Sequence, residues 1–375
     1  MHVPDGFLDA PTSVATGVIA AAAVAVSLRG ARRELAGSAA GPAGPAAMGA
    51  ERTAPLAGLT AAFIFAVQML NFPVAAGTSG HLLGGALAAI LVGPFTGVLC
   101  VSVVLLLQAI LFADGGLTAL GTNITCMALI TVVVAHLVFR TLLRLLPAGR
   151  STVTASAFVA ALVSVPASAL FFTLLYAVGG TTDVPIGSVA AAMGGVHVLI
   201  GIGEGVITAL TVGAVIAVRP DLVHGARGLH RPLKLKVNGE LVDAPAPAAT
   251  NAATAAPASA PRSSRAVWLG GLAASLVLAG FVSFYASSSP DGLEKVAGDH
   301  GIDEAAEEHA VADGPLADYG VSGVDDARLS GGLAGVIGVG VTAAAGTGVF
   351  VVVRRRETSG HTTGGSAADR DHERV

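Results

Sequence analysis

The first two residues, Met1 and His2, carry nitrogen atoms whose spacing suits a transition metal. The α-amine of Met1 and the backbone amide nitrogen of His2 would close a five-membered chelate ring on one ion. The same amide nitrogen and Nδ1 of the His2 imidazole would close a six-membered ring. Three nitrogens in one plane are what tetragonal Ni(II) and Cu(II) centres favour. A fourth nitrogen from elsewhere in the chain would complete a square.

This chelate requires a free amine at Met1. The opening MHVPDGFLDA has no basic residue ahead of its first apolar run, whereas a cleavable signal peptide has a positively charged start. We therefore expect Met1 to be the mature N-terminus and its amine to be unmodified.

The elements that must position these nitrogens are membrane helices. Of 375 residues, 53% are hydrophobic and only 12% are charged, where soluble domains carry roughly 25%. Mean hydropathy is +0.74. Apolar runs of about 20 residues span the hydrocarbon core of a bilayer. The apolar runs are residues 13–28, 56–72, 82–112, 117–139, 153–178, 189–218, 267–286 and 333–353.

The run at 82–112 is about 46 Å long as a helix, which is too long for one crossing. It contains the pair Gly93-Pro94, which breaks helices. Splitting it there gives nine helices and places the basic clusters on the cytoplasmic side, as the positive-inside rule requires. Of the 21 Lys and Arg residues, only Lys295 and Arg328 then lie outside. The predicted fold is an all-α polytopic membrane protein with its N-terminus outside and its C-terminus in the cytoplasm.

The composition also predicts the domain organisation. Residues 1–218 form a seven-helix body, and residues 219–265 form a cytoplasmic linker, basic at first and then rich in Ala, Pro and Thr. Residues 266–356 form a two-helix appendage, and residues 357–375 a disordered cytoplasmic tail. The outside loop of the appendage, residues 287–330, has eleven acidic and two basic residues. It is either a solvated connector or a surface that attracts cations.

The outside loops also contain a candidate for the fourth nitrogen. Three stretches face outward in this topology, around residues 71–81, 114 and 179–187, and only the first contains a histidine, His81. A histidine at position 2 or at a helix start is, taken alone, more often a surface residue than a ligand. Because Met1, His2 and His81 fall on the same side, a shared metal site becomes as well supported as two separate surface histidines.

A few ionisable or polar residues lie elsewhere. Leaving aside Cys and Tyr, the ionisable residues inside the predicted membrane spans are His136, His197 and Glu204. We expect His136 to be structural and Glu204 to be a hydrogen-bond anchor between helices. Asp114 fits a turn or cap better than a ligand. Cys100 and Cys126 form no CxxC pair, and we expect two buried free thiols. A net charge of −4 gives no sign of a nucleic-acid partner.

Several stretches together resemble a known family. They are MHVPDGFLD, FPVAAGTSGHLLGG, QAILFADGGLTALGTN and HVLIGIGEGVITA. They resemble the CbiM/NikM family, the substrate-specific component of cobalt/nickel energy-coupling-factor transporters, over roughly residues 1–218. SSSPDGLEKVA in the appendage resembles the PDGLE domain, a CbiN/NikN-like accessory subunit that is here fused in line.

The resemblance implies a function and partners. Met1, His2 and His81 would hold Ni²⁺ or Co²⁺ as a transported substrate, with no resident cofactor, in the cytoplasmic membrane. The ATPase subunits and a coupling transmembrane subunit would be separate proteins, and no GxxxxGK[ST] phosphate loop occurs in this sequence. The chain would not be an enzyme. The alternative is a self-sufficient secondary carrier or channel, for which only His197 and Glu204 could form a site near mid-membrane.

Overall fold

The computed structural model describes residues 1–37, 53–75, 77–229, 234–237, 240–243 and 264–361. Within them, seven helices are long and apolar enough to cross a membrane. The predicted class, an α-helical multi-pass membrane protein, is confirmed. The helices of the body are α1 (Ala10–Gly37), α2 (Thr53–Gln68), α3 (Gly85–Val92), α4 (Pro94–Leu111), α5 (Leu120–Leu145), α6 (Arg150–Gly179) and α7 (Ile186–Val218).

The appendage adds three helices: α8 (Ser264–Gly280), α9 (Gly292–His300) and α10 (Ala327–His361). Short 3₁₀ turns punctuate the chain between α8 and α10, and α5 contains a π-helical stretch at Ile124–Ile130. The only strands in the described part of the chain form two antiparallel pairs. They are β1 (Phe72–Pro73) with β2 (Ser79–Gly80), and β3 (Lys234–Val237) with β4 (Glu240–Asp243).

The predicted break at Gly93-Pro94 is confirmed. Gly93 has φ 103° and ψ 159°, a conformation that side chains with a Cβ rarely adopt, and Pro94 is the first residue of α4. The break does not, however, separate two full-length helices. At 16 residues, α2 is shorter than the other candidates, and α3 has only eight residues. Eight residues are about 12 Å of helix, less than half of a hydrocarbon core.

The prediction that residues 82–112 form two membrane-crossing helices therefore overestimated the helical length of this part of the body. Ahead of α3, residues 81–84 are buried but not helical. Irregular backbone at membrane depth is tolerated only where protein groups satisfy its hydrogen bonds. The carboxyl group of Glu204 on α7 does this: it accepts from the Leu83 N–H at 2.6 Å and from the Gly84 N–H at 3.2 Å. Glu204 is a hydrogen-bond anchor, as predicted, but its partner is the non-helical backbone ahead of α3 rather than another helix.

The segment predicted as a linker, residues 219–265, is partly structured. It contains the 3₁₀ turns Pro220–Leu222 and His224–Leu229 and the β3–β4 hairpin. Residues 230–233, 238–239 and 244–263, which include the Ala/Pro/Thr-rich tract, lie outside the described residues. Helix α10 continues to His361, so it extends into the segment predicted as a tail, whose remaining residues 362–375 also lie outside them.

The appendage packs against the body chiefly along α2, which contacts both α8 and α10. Glycines permit the close approach of these helices, as is common in lipid. A Cβ placed on Gly346 would lie 3.1 Å from the Cα of Gly58, and one placed on Gly335 would lie 2.4 Å from the Ala279 carbonyl oxygen. Within the body, α6 and α7 form the most extensive helix pair.

Candidate metal site

The N-terminal residues before α1 form a buried loop rather than a free tail. Met1 is 2% exposed, and Val3 and Phe7 also belong to the core. Backbone hydrogen bonds tie the far end of the loop to the turn after α6: Asp9 N–H donates to Gly179 O at 2.7 Å, and Thr181 N–H to Phe7 O at 3.2 Å. The first residue is thereby held inside the protein.

Two side chains fix the beginning of this loop. Asn123 on α5 holds the backbone of Val3 on both sides, accepting from its N–H at 2.8 Å and donating to its carbonyl at 3.1 Å. The Asp5 carboxylate accepts from the backbone N–H groups of residues 117–119 and from the Thr118 hydroxyl. Burial alone would raise the pKa of Asp5, but these hydrogen bonds outweigh it and lower the pKa.

The amine of Met1 and the ring of His81 are in direct contact. Their nitrogen atoms, the amine and Nε2, lie 2.5 Å apart. His81 is buried at the end of the loop that contains the β1–β2 hairpin, and its Nδ1 lies 3.1 Å from the Leu82 carbonyl oxygen. Because a carbonyl only accepts, a neutral His81 carries its hydrogen on Nδ1. The lone pair on Nε2 then faces the amine, as a metal ligand requires.

His2 completes the cluster but points one nitrogen elsewhere. Its ring stacks on that of His81 with centroids 5.0 Å apart. Its Nδ1 lies 3.1 Å from Oδ1 of Asp114. Burial lowers the pKa of His2 to about 4, although Asp114 acts in the opposite direction. A neutral His2 therefore donates from Nδ1 to Asp114, and its buried Nε2 has no hydrogen-bond partner among the described residues.

The backbone amide of His2 is also available as a metal ligand. Among the hydrogen bonds of the described residues, none uses this N–H as a donor. All three predicted ligand-bearing residues, Met1, His2 and His81, are thus brought together. A planar chelate through the His2 amide and Nδ1 would require the His2 ring to leave Asp114.

One residue at this site, Asp291, is not among the ligands predicted from the sequence. Its Oδ2 lies 2.7 Å from the Met1 amine and 3.3 Å from His81 Nε2. Burial alone would raise the pKa of Asp291, but the amine and the imidazole outweigh it, and the pKa lies well below the ordinary value. The signal available in the sequence was the motif SSSPDGLEKVA, in which Asp-x-x-Glu marks a helix start. Nothing in the sequence connected that helix start to Met1.

The acidic loop of the appendage is a folded part of the site rather than a solvated connector. The Glu307 N–H donates to Asp5 O at 3.0 Å, and His309 Nε2 lies 3.2 Å from Gly115 O. The Tyr319 hydroxyl donates to Asp114 Oδ2 at 2.5 Å and accepts from Gln108 at 3.0 Å. Asp114, expected only to shape a turn, therefore connects the loop to His2.

A cavity of about 600 Å³ adjoins these residues, and nine of its 23 lining residues are acidic or histidine. They include Asp5, His81, Asp114, Asp291, Glu294, Glu307 and His309. Within the described residues, no three His, Cys, Asp or Glu side chains converge closely enough to hold a metal ion by themselves. A metal site here therefore depends on the Met1 amine and backbone nitrogen.

Of the other sequence candidates, His197 lies beside this cluster: a Cβ placed on Gly292, the residue after Asp291, would lie 3.0 Å from its Cε1, and its buried Nε2 has no hydrogen-bond partner among the described residues. His197 is buried on α7, and its Nδ1 donates to the Met193 carbonyl at 2.8 Å. His136 is partly buried on α5. Cys100 and Cys126 are free and buried, as expected.

The fold is that of a multi-pass helical membrane protein, with an amine–imidazole cluster beside a cavity that contains acidic side chains. Comparison with known proteins specifies the class. Residues 2–222 match the family CbiM, "Cobalt uptake substrate-specific transmembrane region", and residues 265–355 match the PDGLE domain. The chain belongs to the CbiM family and carries a PDGLE domain in the same polypeptide, which confirms the resemblance inferred from its motifs.

Individual relatives agree with this assignment. A protein of Haloquadratum walsbyi, provisionally named a metal transport protein, is 40% identical over 60% of this chain and 93% of its own length. A protein of Archaeoglobus fulgidus, provisionally named the fused nickel transport protein NikMN, is 36% identical over 60% of this chain and 68% of its own. The cobalt transport protein CbiM of Geobacter sulfurreducens is 36% identical over 45% of this chain and 49% of its own length. Such names denote transport proteins rather than enzymes.

Proposed function

We propose that this chain is the substrate-capturing membrane component of an ATP-driven importer of Ni²⁺ or Co²⁺. It would lie in the cytoplasmic membrane with the N-terminal loop on the outer side. The observation that carries the proposal is the 2.5 Å contact between the Met1 amine and His81 Nε2 inside the protein. An amine and an imidazole lone pair this close together suit one divalent transition metal.

The proposed ligands are the Met1 amine, the His2 amide and Nδ1, and His81 Nε2. On binding, the amine and the amide each lose a proton, and the hydrogen on His2 Nδ1 moves to Nε2. The acidic cavity favours a cation near the site. Asn123 and Asp5 hold the loop in place, which limits the entropy lost when the ion orders its ligands.

Release into the cell would be driven by partners. The sequence lacks a phosphate-binding loop, so we propose separate ATPase subunits and a coupling transmembrane subunit. The alternative, a carrier that works alone, would need a second site within the membrane. Of its two candidate residues, Glu204 is already engaged by backbone N–H groups, which makes it a poor transit ligand.

Calorimetric titration of the purified chain with Ni²⁺ and Co²⁺ tests the capture step. The free-amine protein should bind at least one ion tightly, and His81→Ala should weaken binding by roughly 100-fold or more through loss of a direct ligand. Blocking the amine with a retained formyl group or an N-terminal tag should abolish it. His136→Ala, away from the site, is the matched control. Unchanged affinity in the amine-blocked protein would exclude this site.

Proteoliposomes separate the two transport mechanisms. The chain alone should bind the ion without accumulating it, because nothing in it couples transport to ATP. Sustained uptake by the chain alone would support the independent carrier and contradict the multi-subunit importer.

A further inference from the structure

Asp291 belongs to the appendage, yet its carboxylate lies among the proposed metal ligands. The separations are 2.5 Å between the amine and His81 Nε2, 2.7 Å between the amine and Oδ2, and 3.3 Å between Nε2 and Oδ2. Two ligands at a right angle, each 2.0–2.1 Å from an ion, are about 2.9 Å apart. The three atoms therefore have the spacing of one triangular face of a coordination polyhedron.

We propose that Asp291 is a further ligand of the transported ion, one that the accessory domain supplies to the site of the body. This inference rests on the proposed function. Its chemistry is a single carboxylate oxygen, Oδ2, added to the nitrogen set of Met1, His2 and His81.

The two oxygens of Asp291 have separate roles. Oδ1 accepts from the Leu293 and Glu294 N–H groups at 2.7 and 2.9 Å and caps α9, while the Glu294 side chain accepts from the Asp291 N–H at 2.8 Å. This capping box uses one oxygen and sets the orientation of the side chain. Oδ2 is left to face the amine and the imidazole.

The same hairpin positions both Asp291 and His81. The Ser79 N–H on β2 donates to Pro290 O at 2.8 Å, and the Ser79 hydroxyl donates to Ser289 O at 2.7 Å. The Ser287 N–H donates to Asn71 O at 2.7 Å just before β1. The segment leading to Asp291 is thus fastened to the strand that leads to His81, so the two side chains are placed by one framework.

The charges explain why a carboxylate is present in so buried a position. Asp291 is 7% exposed, and an isolated buried carboxylate is costly unless a cation compensates it. The ammonium of Met1 compensates it in the structure described here. When an ion binds, the amine gives up its proton, and the divalent cation takes over the same role beside the same oxygen.

A fifth ligand changes the geometry of the metal. Four nitrogens in a plane leave the positions above and below open, and Oδ2 forms a face with two of the donors, so it would occupy one of these positions. A planar four-nitrogen set favours Ni(II) and Cu(II), whereas a site with an added carboxylate oxygen also suits Co(II). Asp291 would therefore broaden the choice of ion.

X-ray absorption of Ni²⁺ bound to the full-length chain tests the ligand directly. Planar four-coordinate Ni(II) has a characteristic pre-edge feature that a fifth ligand suppresses. We expect it to be suppressed in the wild type and to appear in Asp291→Asn, which keeps the cap because Asn caps as well as Asp. Asp291→Asn should also bind Ni²⁺ at least about 10-fold more weakly.

Asp299→Asn is the matched control, since it removes the same charge from α9 at an exposed residue paired with Lys295. It should leave the spectrum and the affinity unchanged. If the wild type shows the pre-edge feature of planar four-coordinate Ni(II), the inference is overturned. It is also overturned if Asp291→Asn binds Ni²⁺ more tightly with an unchanged spectrum, because Asp291 would then compete with the ion for the amine. Both outcomes leave the capture function intact. If binding is lost in the His81 and amine-blocked variants but unchanged in Asp291→Asn, the capture function stands and Asp291 is not a ligand.

Discussion

The carboxyl group of Glu204 lies 2.6 Å from the backbone nitrogen of Leu83, two residues after His81. This contact joins the middle of α7 to the irregular segment that carries a proposed metal ligand. It explains an ionisable residue at membrane depth without assigning it to the transport path. It also makes the position of His81 depend on a residue far away in the sequence.

Glu204→Gln should therefore disturb both stability and binding. A glutamine offers one acceptor oxygen, so one of the Leu83 and Gly84 N–H groups would face an amide donor. We expect a loss of about 1–3 kcal/mol in stability and roughly 10-fold weaker Ni²⁺ binding, measured by thermal unfolding and calorimetry. Glu34→Gln is the control, because Glu34 makes a similar contact to the Phe95 and Thr96 N–H groups. Wild-type Ni²⁺ affinity in Glu204→Gln would contradict the positioning role.

The tautomer of His2 should change when metal binds. Because the pKa of His2 is about 4, the ring is neutral from pH 5 upward, and its contact with Asp114 places the hydrogen on Nδ1. Protonation of the metal-free ring occurs as the pH falls through about 4, so His2 is neutral in metal-free protein near pH 7. ¹⁵N NMR of histidine-labelled protein should detect Nδ1–H without metal, and Ni²⁺ with Asp291 as a fifth ligand is paramagnetic and should broaden the His2 ring signals. A His2 that is Nε2–H before metal is added would refute this.

Tyr319 should fasten the acidic loop to the body. Its ring stacks on Phe112 at 4.9 Å, and its hydroxyl bonds Asp114 and Gln108. Tyr319→Phe keeps the stacking and removes the hydrogen bonds, so hydrogen exchange in residues 310–325 should accelerate and stability should fall by about 1–3 kcal/mol. Tyr285→Phe is the control, since Tyr285 is 73% exposed. Equal exchange in the two variants would show that the hydroxyl contributes nothing to docking.

Close packing between α8 and α10 should depend on Gly335. A Cβ at this position would meet backbone atoms of Ala279, which cannot move without separating the helices, whereas Gly340 on the same helix faces open space. We expect Gly335→Ala to lower the melting temperature. Gly340→Ala should leave it unchanged or raise it slightly, because alanine favours helix by about 1 kcal/mol. A Gly335→Ala protein as stable as Gly340→Ala would mean that the helices are not in contact here.

Several features could be predicted from the sequence because they depend on local properties of the chain. Hydropathy over about 20 residues indicates a membrane helix wherever it occurs, and Gly93-Pro94 breaks a helix regardless of its neighbours. The chelating capacity of Met1-His2 is equally local, since the chelate atoms belong to two consecutive residues. The helical membrane fold and the break were accessible for these reasons.

Other features were decided by contacts between distant segments. Hydropathy could not distinguish the eight helical residues of α3 from the buried irregular stretch before it, because both are apolar. The backbone leaves the helix there because the carboxyl group of Glu204 accepts its N–H groups. Likewise, Asp291 is one of eleven acidic residues in its loop, and its residue type alone does not separate it from the rest. Its contact with Met1 arises because the loop is fastened along the β1–β2 hairpin. The sequence by itself determined which chemical groups are present, and the tertiary structure decided which of them share one site, since burial and hydrogen bonding act between residues that are adjacent only in space.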